Sequence, residues 1–241
     1  MRLINLVPTI AATWPAAAHR DIGPFLVPDG AGGGQRVSAA RLGDPMATDA
    51  TEAQIDTTID ALAEGGQPPL FMLLDHQTGL DARLAARGFV MRDPTCAMIA
   101  PCQRIAAAPP PITCFAIWPP LAIQTEIWAS GGVGSSRLAV MARATGPKTS
   151  FLGRTQDRPA GTAFAAIHGD IAMLHALEIL PAHRRRGLAS AMMRAAADWA
   201  LGHGAATFSL LVTQQNEPAL GLYASLGFTA VGQYHYRAKT V

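Results

Sequence analysis

Two stretches of this chain carry one local pattern at an offset of 139 residues, and that spacing constrains the fold more than any other feature. Gly88 and Phe89 fall on Gly227 and Phe228, the apolar run Phe71 to Leu74 falls on Leu210 to Thr213, and a helical pattern ending at Gly65 falls on one ending at Gly204. Helix, glycine, strand, helix and Gly-Phe recur in that order, which predicts two copies of one fold. The run IAAAPPP after Arg104 lacks amide donors at its prolines and has a fixed backbone there, so neither sheet nor helix passes through it. We therefore expect a first unit over residues 1–104, a linker over 105–111 and a second unit over 112–241. A chain of 241 residues accommodates two such units.

Periodicity fills in the elements. In the first unit, the glycine-rich stretch Gly30 to Gly34 precedes an alternating run, Gln35 to Leu42, that predicts a strand. A helix follows over Ala53 to Ala63, a buried strand over Leu70 to Leu74 and a second helix over Leu80 to Arg87. In the second unit, strands are expected at Thr113 to Trp118, Ser136 to Ala144, Pro159 to His168, Ala172 to Leu180, Thr207 to Val212 and Tyr234 to Ala238, with Gly169-Asp170 as a hairpin signal. Helices are expected at Pro119 to Ala129, Leu188 to Leu201 and Pro218 to Leu226. Antiparallel strands feeding a strand, helix, strand, helix unit argue an α/β or α+β class with a mixed sheet.

Composition narrows the function. Hydrophobic residues make up 49% of the chain and charged residues 15%, which suits a packed core and opposes disorder. A formal charge of +2 offers no basic stripe for a nucleic-acid backbone. Pro8 and Pro15 interrupt the opening segment, which is too short for a signal-peptide core, and no apolar run reaches membrane-spanning length. Cys96, Cys102 and Cys114 leave one thiol over in any disulfide scheme and lack metal-ligand spacing, so a reducing compartment and no metal are expected. The sequence thus predicts a cytoplasmic protein, monomer or homodimer, without membrane or nucleic-acid partners.

The chemistry concentrates in Leu177 to Ala191, LEILPAHRRRGLASA, where a strand ends at Pro181 and a helix begins near Leu188. Gly187 and Ala189 keep the turn free of bulk, so successive amides and the helix start can converge on an anion such as a diphosphate. Arg184 and Arg186 can add charge-assisted hydrogen bonds, with Arg185 on the far side of the turn or facing solvent; an ordinary connection with a solvated arginine run is the alternative. Neither GxxxxGK nor GxGxxG is present, which removes the nucleotide-loop readings.

This stretch resembles the signature of the GCN5-related N-acetyltransferases, in which an apolar strand and a proline lead into Gln/Arg-x-x-Gly-x-Gly/Ala, here Arg184-x-x-Gly187-x-Ala189. The family's later motif, Asn, a helix bearing Tyr, then Gly-Phe, is matched by Asn216, Tyr223, Gly227 and Phe228. The resemblance covers Ile112 to Val241. It implies a duplicated, mixed and mostly antiparallel twisted sheet flanked by helices, acetyl-CoA as cofactor, and direct transfer of its acetyl group to a primary amine of a small molecule or a protein N-terminus. It also implies a cofactor site comprising Ile179, Leu180, Arg184, Arg185, Arg186, Gly187, Leu188, Ala189, Ser190 and Asn216, with the Leu180 amide as oxyanion contact. Tyr223 matches the tyrosine that protonates the departing thiolate, and a phenol near pH 7 keeps its proton.

Glu178 and His175 are the candidate bases. Asn216 serves the pantetheine arm, caps a helix, or does both. Trp118 and Trp128 line the acceptor pocket or pack in the core. At the 139-residue offset the first unit has Thr48, Ala50, Gln77 and Leu84 where the second has Gly187, Ala189, Asn216 and Tyr223, so it reads as a degenerate copy that covers sheet surface and shapes the acceptor pocket, with an independent small domain of separate ancestry as the alternative. The rival reading of the whole chain is a CoA-binding regulatory module without turnover.

Overall fold

The computed structural model describes residues 1–239. The first part of the chain runs through α1 (Val7–Thr13), β1 (Ala18–Ile22), β2 (Phe25–Asp29), α2 (Gln35–Ser38), β3 (Arg41–Leu42), α3 (Glu52–Glu64), β4 (Leu70–Leu74), α4 (Thr78–Ala86), β5 (Val90–Pro101) and α5 (Cys102–Ile105). After the proline-rich stretch come β6 (Cys114–Ile117), α6 (Ala122–Ser130), α7 (Ser135–Arg143), β7 (Lys148–Thr155), β8 (Arg158–His168) and β9 (Ile171–Ile179). The chain then forms α8 (Leu188–Gly202), β10 (Thr207–Thr213), α9 (Glu217–Ser225) and β11 (Thr229–Ala238).

Two stretches differ from the sequence expectation. Gln35 to Leu42 is a single helical turn followed by a two-residue strand, because Gly34 (φ +96°) redirects the backbone and Val37 turns into the core. Ser136 to Ala144 is helical rather than extended. Short apolar runs fit either period, and this one holds good helix formers and buries the adjacent Val140 and Met141 on one side. Two long strands, β5 and β7, form where the sequence pattern predicts none.

The main sheet has eight strands in the order β4-β11-β5-β10-β9-β8-β7-β6, all pairs antiparallel except β9 with β10. A smaller sheet, β1-β2-β3, continues it through a bridge between Ala40 and Phe71. The order shows an exchange: β11 lies between β4 and β5, and β5 lies between β11 and β10. The registers obey the 139-residue offset: Leu70 pairs with Ala238 as Ser209 pairs with Ile99, and Phe71 with Arg237 as Leu210 with Met98. The two exchanged strands pair with each other under the same rule, Thr229 with Ile99 and Val90 with Ala238. Each repeat lends its last strand to the other. An ion pair from Arg237 to Asp81 on α4, with Nε–Oδ1 at 2.7 Å and Nη2–Oδ2 at 2.8 Å, fastens β11 in place.

Helices cover both faces. On one, α8 and α9 pack Met192, Met193, Ala196 and Tyr223 over Phe208, Leu210 and Phe228; the alanines of α8 permit close approach to the sheet. On the other, the segment leading into α1 covers Met72, Ala97 and Met173, while Trp14, Trp128 and Val140 close around Phe164.

Candidate active site

The site starts from a parallel pair that comes apart. Strands β9 and β10 pair only from Ile171–Leu174 to Thr207–Leu210; beyond that, β9 follows β8 and β10 follows β5, leaving a fork. On its β9 side the fork carries a bulge. Thr162 pairs with Glu178 and Phe164 with His175, so Ala176 and Leu177 together oppose Ala163, and Ala176 adopts φ +49°. The fully buried Trp128 donates from Nε1 to the Ala176 carbonyl at 2.7 Å and holds that kink. Trp128 is therefore core, acting on the site through the bulge.

At the end of β9, the Leu180 N–H donates to the Ala160 carbonyl at 2.9 Å. The sheet occupies this amide, which corrects the expectation that it faces the reacting carbonyl. Strand alternation turns Ile179 the other way, and its carbonyl accepts from Arg184 Nε at 2.9 Å on that side. The amide pointing into the fork is that of Ile179.

The turn into α8 has Arg185 at φ +60° and Gly187 at φ +79°, with Gly187 as the helix cap and no side chain capping the helix. The first intrahelical amide bond runs from Ala191 to Gly187, so the N–H groups of Leu188, Ala189 and Ser190 point out of the helix start without helical partners. A Cβ built on Gly187 would enter open space, yet the positive φ makes any L side chain there strained. Open amides, a left-handed turn and the helix dipole fit a diphosphate, so the residues present suit an acyl-CoA. The arginines divide their tasks: Arg184 straps the turn to β9, also binding Glu178 Oε1 at 3.0 Å, and Arg186 reaches Gln156 Oε1 at 3.1 Å.

Tyr223 is 8% exposed, its ring centroid 5.8 Å from that of Phe228, and burial pushes its phenol up to about 12. Its hydroxyl makes no hydrogen bond among the described residues. Asn216 caps α9, its side-chain oxygen accepting from Ala219 N–H at 3.2 Å. Glu178 faces Gly131, where an added Cβ would lie 2.5 Å from Oε2, on the opposite side of the sheet from Leu177 and Ile179.

His175 is enclosed. Its Nδ1 accepts from Arg36 Nη1 at 3.2 Å, its Nε2 donates to Thr13 Oγ1 at 3.0 Å, and the Thr13 hydroxyl in turn donates to the Thr9 carbonyl at 2.7 Å. Burial first, then the Arg36 charge, hold its pKa well below the ordinary value. A neutral imidazole with its lone pair already engaged lacks the free acceptor that a base needs, so the structure corrects that expectation for His175.

Against the bulge lies a cavity of about 400 Å³ whose walls come from both repeats: Arg36, Asp93 and Thr95 from the first, Ala176, Thr213 and Tyr236 from the second. Sequence reading missed Arg36, Asp93 and Tyr236, because only the strand exchange and the glycine-rich loop carry them to the fork. A cue for the loop is its run of glycines: a Cβ at Gly33 would lie 2.5 Å from Val140, so this loop rides directly on α7. A larger hollow of about 600 Å³ lies beyond Trp14 and Arg36 and touches neither the turn nor Tyr223.

A model described as the Acetyltransferase (GNAT) family matches residues 118–228. The aminoglycoside N(6')-acetyltransferase type 1 of Klebsiella aerogenes is 30% identical over 112 residues, covering 46% of this chain and 72% of that protein. This chain belongs to the GNAT family. An uncharacterized N-acetyltransferase, YobR of Bacillus subtilis, is 24% identical and aligns over 95% of both chains. A GCN5-related N-acetyltransferase from Kribbella flavida shares the fold, with a TM-score of 0.74 at 18% identity over 99% of this chain and 95% of that one. The family match spans the repeat that holds the fork, the α8 turn and Tyr223. As a GNAT protein the chain is an acyl-CoA-dependent transferase acting on an amine, and among the described residues no helix is long and apolar enough to cross a membrane.

Proposed function

We propose that this chain moves the acetyl group of acetyl-CoA directly to the primary amine of a small molecule, with a protein N-terminus as the alternative acceptor. The observation that carries this reading is the fork itself, which has open amides of the α8 start on one side and a two-repeat cavity against the bulge on the other. A cavity of about 400 Å³ has the size of a small-molecule site. We assign residues 1–104 to a degenerate repeat that builds half of this cavity, 105–111 to a linker, and 112–241 to the repeat that holds the cofactor.

A bound acetyl-CoA supplies an activated thioester, whose carbon–sulfur bond breaks as the amine nitrogen bonds to the carbonyl carbon. The amides of Leu188, Ala189 and Ser190, with Arg185 and Arg186 at the rim, hold the diphosphate, and Gly187 lets the backbone approach it. Arg184 keeps the turn against β9. The Ile179 amide faces the place where charge builds on the carbonyl oxygen; a backbone donor neither titrates nor reorients. Asn216 fixes the start of α9 and keeps its amide nitrogen for the pantetheine arm. Tyr223 gives its phenolic proton to the leaving thiolate, and the raised pKa keeps that proton in place until then. Glu178 has one oxygen on Arg184 and the other unbonded, so it takes the ammonium proton through a water, while His175 positions Arg36.

The test is to follow free thiol release from acetyl-CoA across a library of primary amines, alongside the melting temperature with and without acetyl-CoA. A rise in melting temperature and thiol release with at least one amine are expected. A rise without thiol release from any amine or N-terminal peptide supports the regulatory module instead, and no rise removes the cofactor site.

A further inference from the structure

The wall of the fork cavity has a feature that amine transfer alone does not require. Arg36 has its Nε sealed from solvent with no hydrogen-bond partner among the described residues. Its Nη1 is engaged by the neutral His175, its Cζ lies 5.9 Å from the Trp14 ring centroid, and Tyr234 and Tyr236 stand beside it with phenol oxygens. No carboxylate pairs with it among the described residues. A guanidinium keeps its charge, and a buried one without a counter-ion is costly.

The rest of the cavity points the same way. Arg137, at the rim, makes only a 3.5 Å contact with the Gly132 carbonyl. Asp93 is the one acidic residue on the described wall, set there by a left-handed backbone at φ +47°. Two arginines against one aspartate leave the cavity short of one negative charge. Because Arg36 is bonded to His175, the residue before the bulge, an anion on Arg36 sits next to the place where the amine must attack.

We infer that the acceptor is an amine bearing a carboxylate within a few bonds of its nitrogen, as in an amino acid, and that Arg36 binds this carboxylate. The inference rests on the acetyl-transfer reading above and sharpens it. It excludes a polycationic acceptor, which would bring positive charge against a buried guanidinium, and disfavours a protein N-terminus, whose neighbouring carbonyl is an uncharged amide. Arg36 is thus the residue that sets specificity, with Tyr236 and Arg137 beside it.

The experiment compares matched acceptors, free amino acids, their carboxamides, their decarboxylated amines and spermidine, on the full chain with acetyl-CoA. Wild type should prefer the acid over its carboxamide by on the order of 10²-fold in kcat/KM. Arg36→Met should abolish that preference mainly through KM while keeping the rise in melting temperature given by CoA, and Arg36→Lys should restore part of it. Carboxamides or spermidine used as well as the acids, or a preference that survives Arg36→Met, would overturn the inference. Should Arg36→Met not fold, the wild-type ratio and Arg36→Lys decide. Calorimetric binding of the amino acid and its amide to the CoA-loaded chain separates the two readings. Acid-selective binding without thiol release upholds the carboxylate site and removes the transferase assignment, whereas thiol release without acid selectivity does the reverse. Absence of both removes both.

Discussion

The helices that begin at Glu52 and Leu188 occupy corresponding places in the two repeats, and they treat negative charge in opposite ways. In the first repeat the helix start is closed from within: Thr51 Oγ1 accepts from Gln54 N–H at 3.3 Å, and Gln54 Oε1 accepts from Thr51 N–H at 2.8 Å. Just before it, Asp49 accepts from Ala50 N–H at 2.8 Å and from Arg83 Nε at 2.9 Å, so a carboxylate of the chain itself takes the amide that corresponds to Ala189. In the second repeat no side chain does this, and the amides stay open. The same architecture ends in open amides or in a sealed joint according to whether the chain provides its own acceptor. Tyr223 and Asn216 follow suit. Their counterparts are Leu84, fully buried, and Gln77, whose amide bonds the Leu74 and Ala47 backbone.

Exchanging roles between these positions breaks the comparison most sharply. Leu84→Ala should cost about 2 to 5 kcal/mol of stability by denaturant titration, yet leave the acetyl-CoA affinity of the folded protein unchanged. Tyr223→Phe should do the converse, lowering turnover about 10²-fold with little change in melting temperature, and rate and stability measured on one preparation check it. Next, Gly187→Val forces a β-branched residue to φ +79° and places a Cβ in the open turn, so acetyl-CoA affinity should fall about tenfold or more by calorimetry.

His175 sharpens the contrast through pH. Its folded pKa is depressed, so the neutral ring contributes stability that is full above the unfolded value near 6.5 and is lost as pH falls below it. Denaturation at pH 7 and pH 5 should show a slope of at most about 1.4 kcal/mol per pH unit that His175→Phe removes. The smallest effect belongs to the sealed helix: Thr51→Ala should cost about 1 kcal/mol without altering acetyl-CoA binding.

How much of this was readable beforehand depends on the range of the interaction. The α8 turn, the Asn216 cap and the helix bearing Tyr223 are local features, written within a few residues of one another, and the motif places them. The 139-residue repeat is also legible, since glycine and apolar spacing survive in both copies. The strand exchange is not, because Val90 to Pro101 holds no signal that distinguishes pairing with its own repeat from pairing with the other. Arg36 eluded the reading for the same reason: its importance comes from His175, 139 residues away, and Gln35 to Leu42 alternates well enough to pass for a strand. Leu180 shows a finer limit, since which amide faces the fork depends on a bulge that only the neighbouring strand reveals.

The strand exchange also bears on how the protein is made. Because β4 pairs with β11, the first repeat has one edge of its sheet unmatched until β11 has been synthesised, and an open strand edge invites association with other chains. The first repeat thus cannot be trimmed away: removing it would strip β10 of β5 and leave the second with the same raw edge.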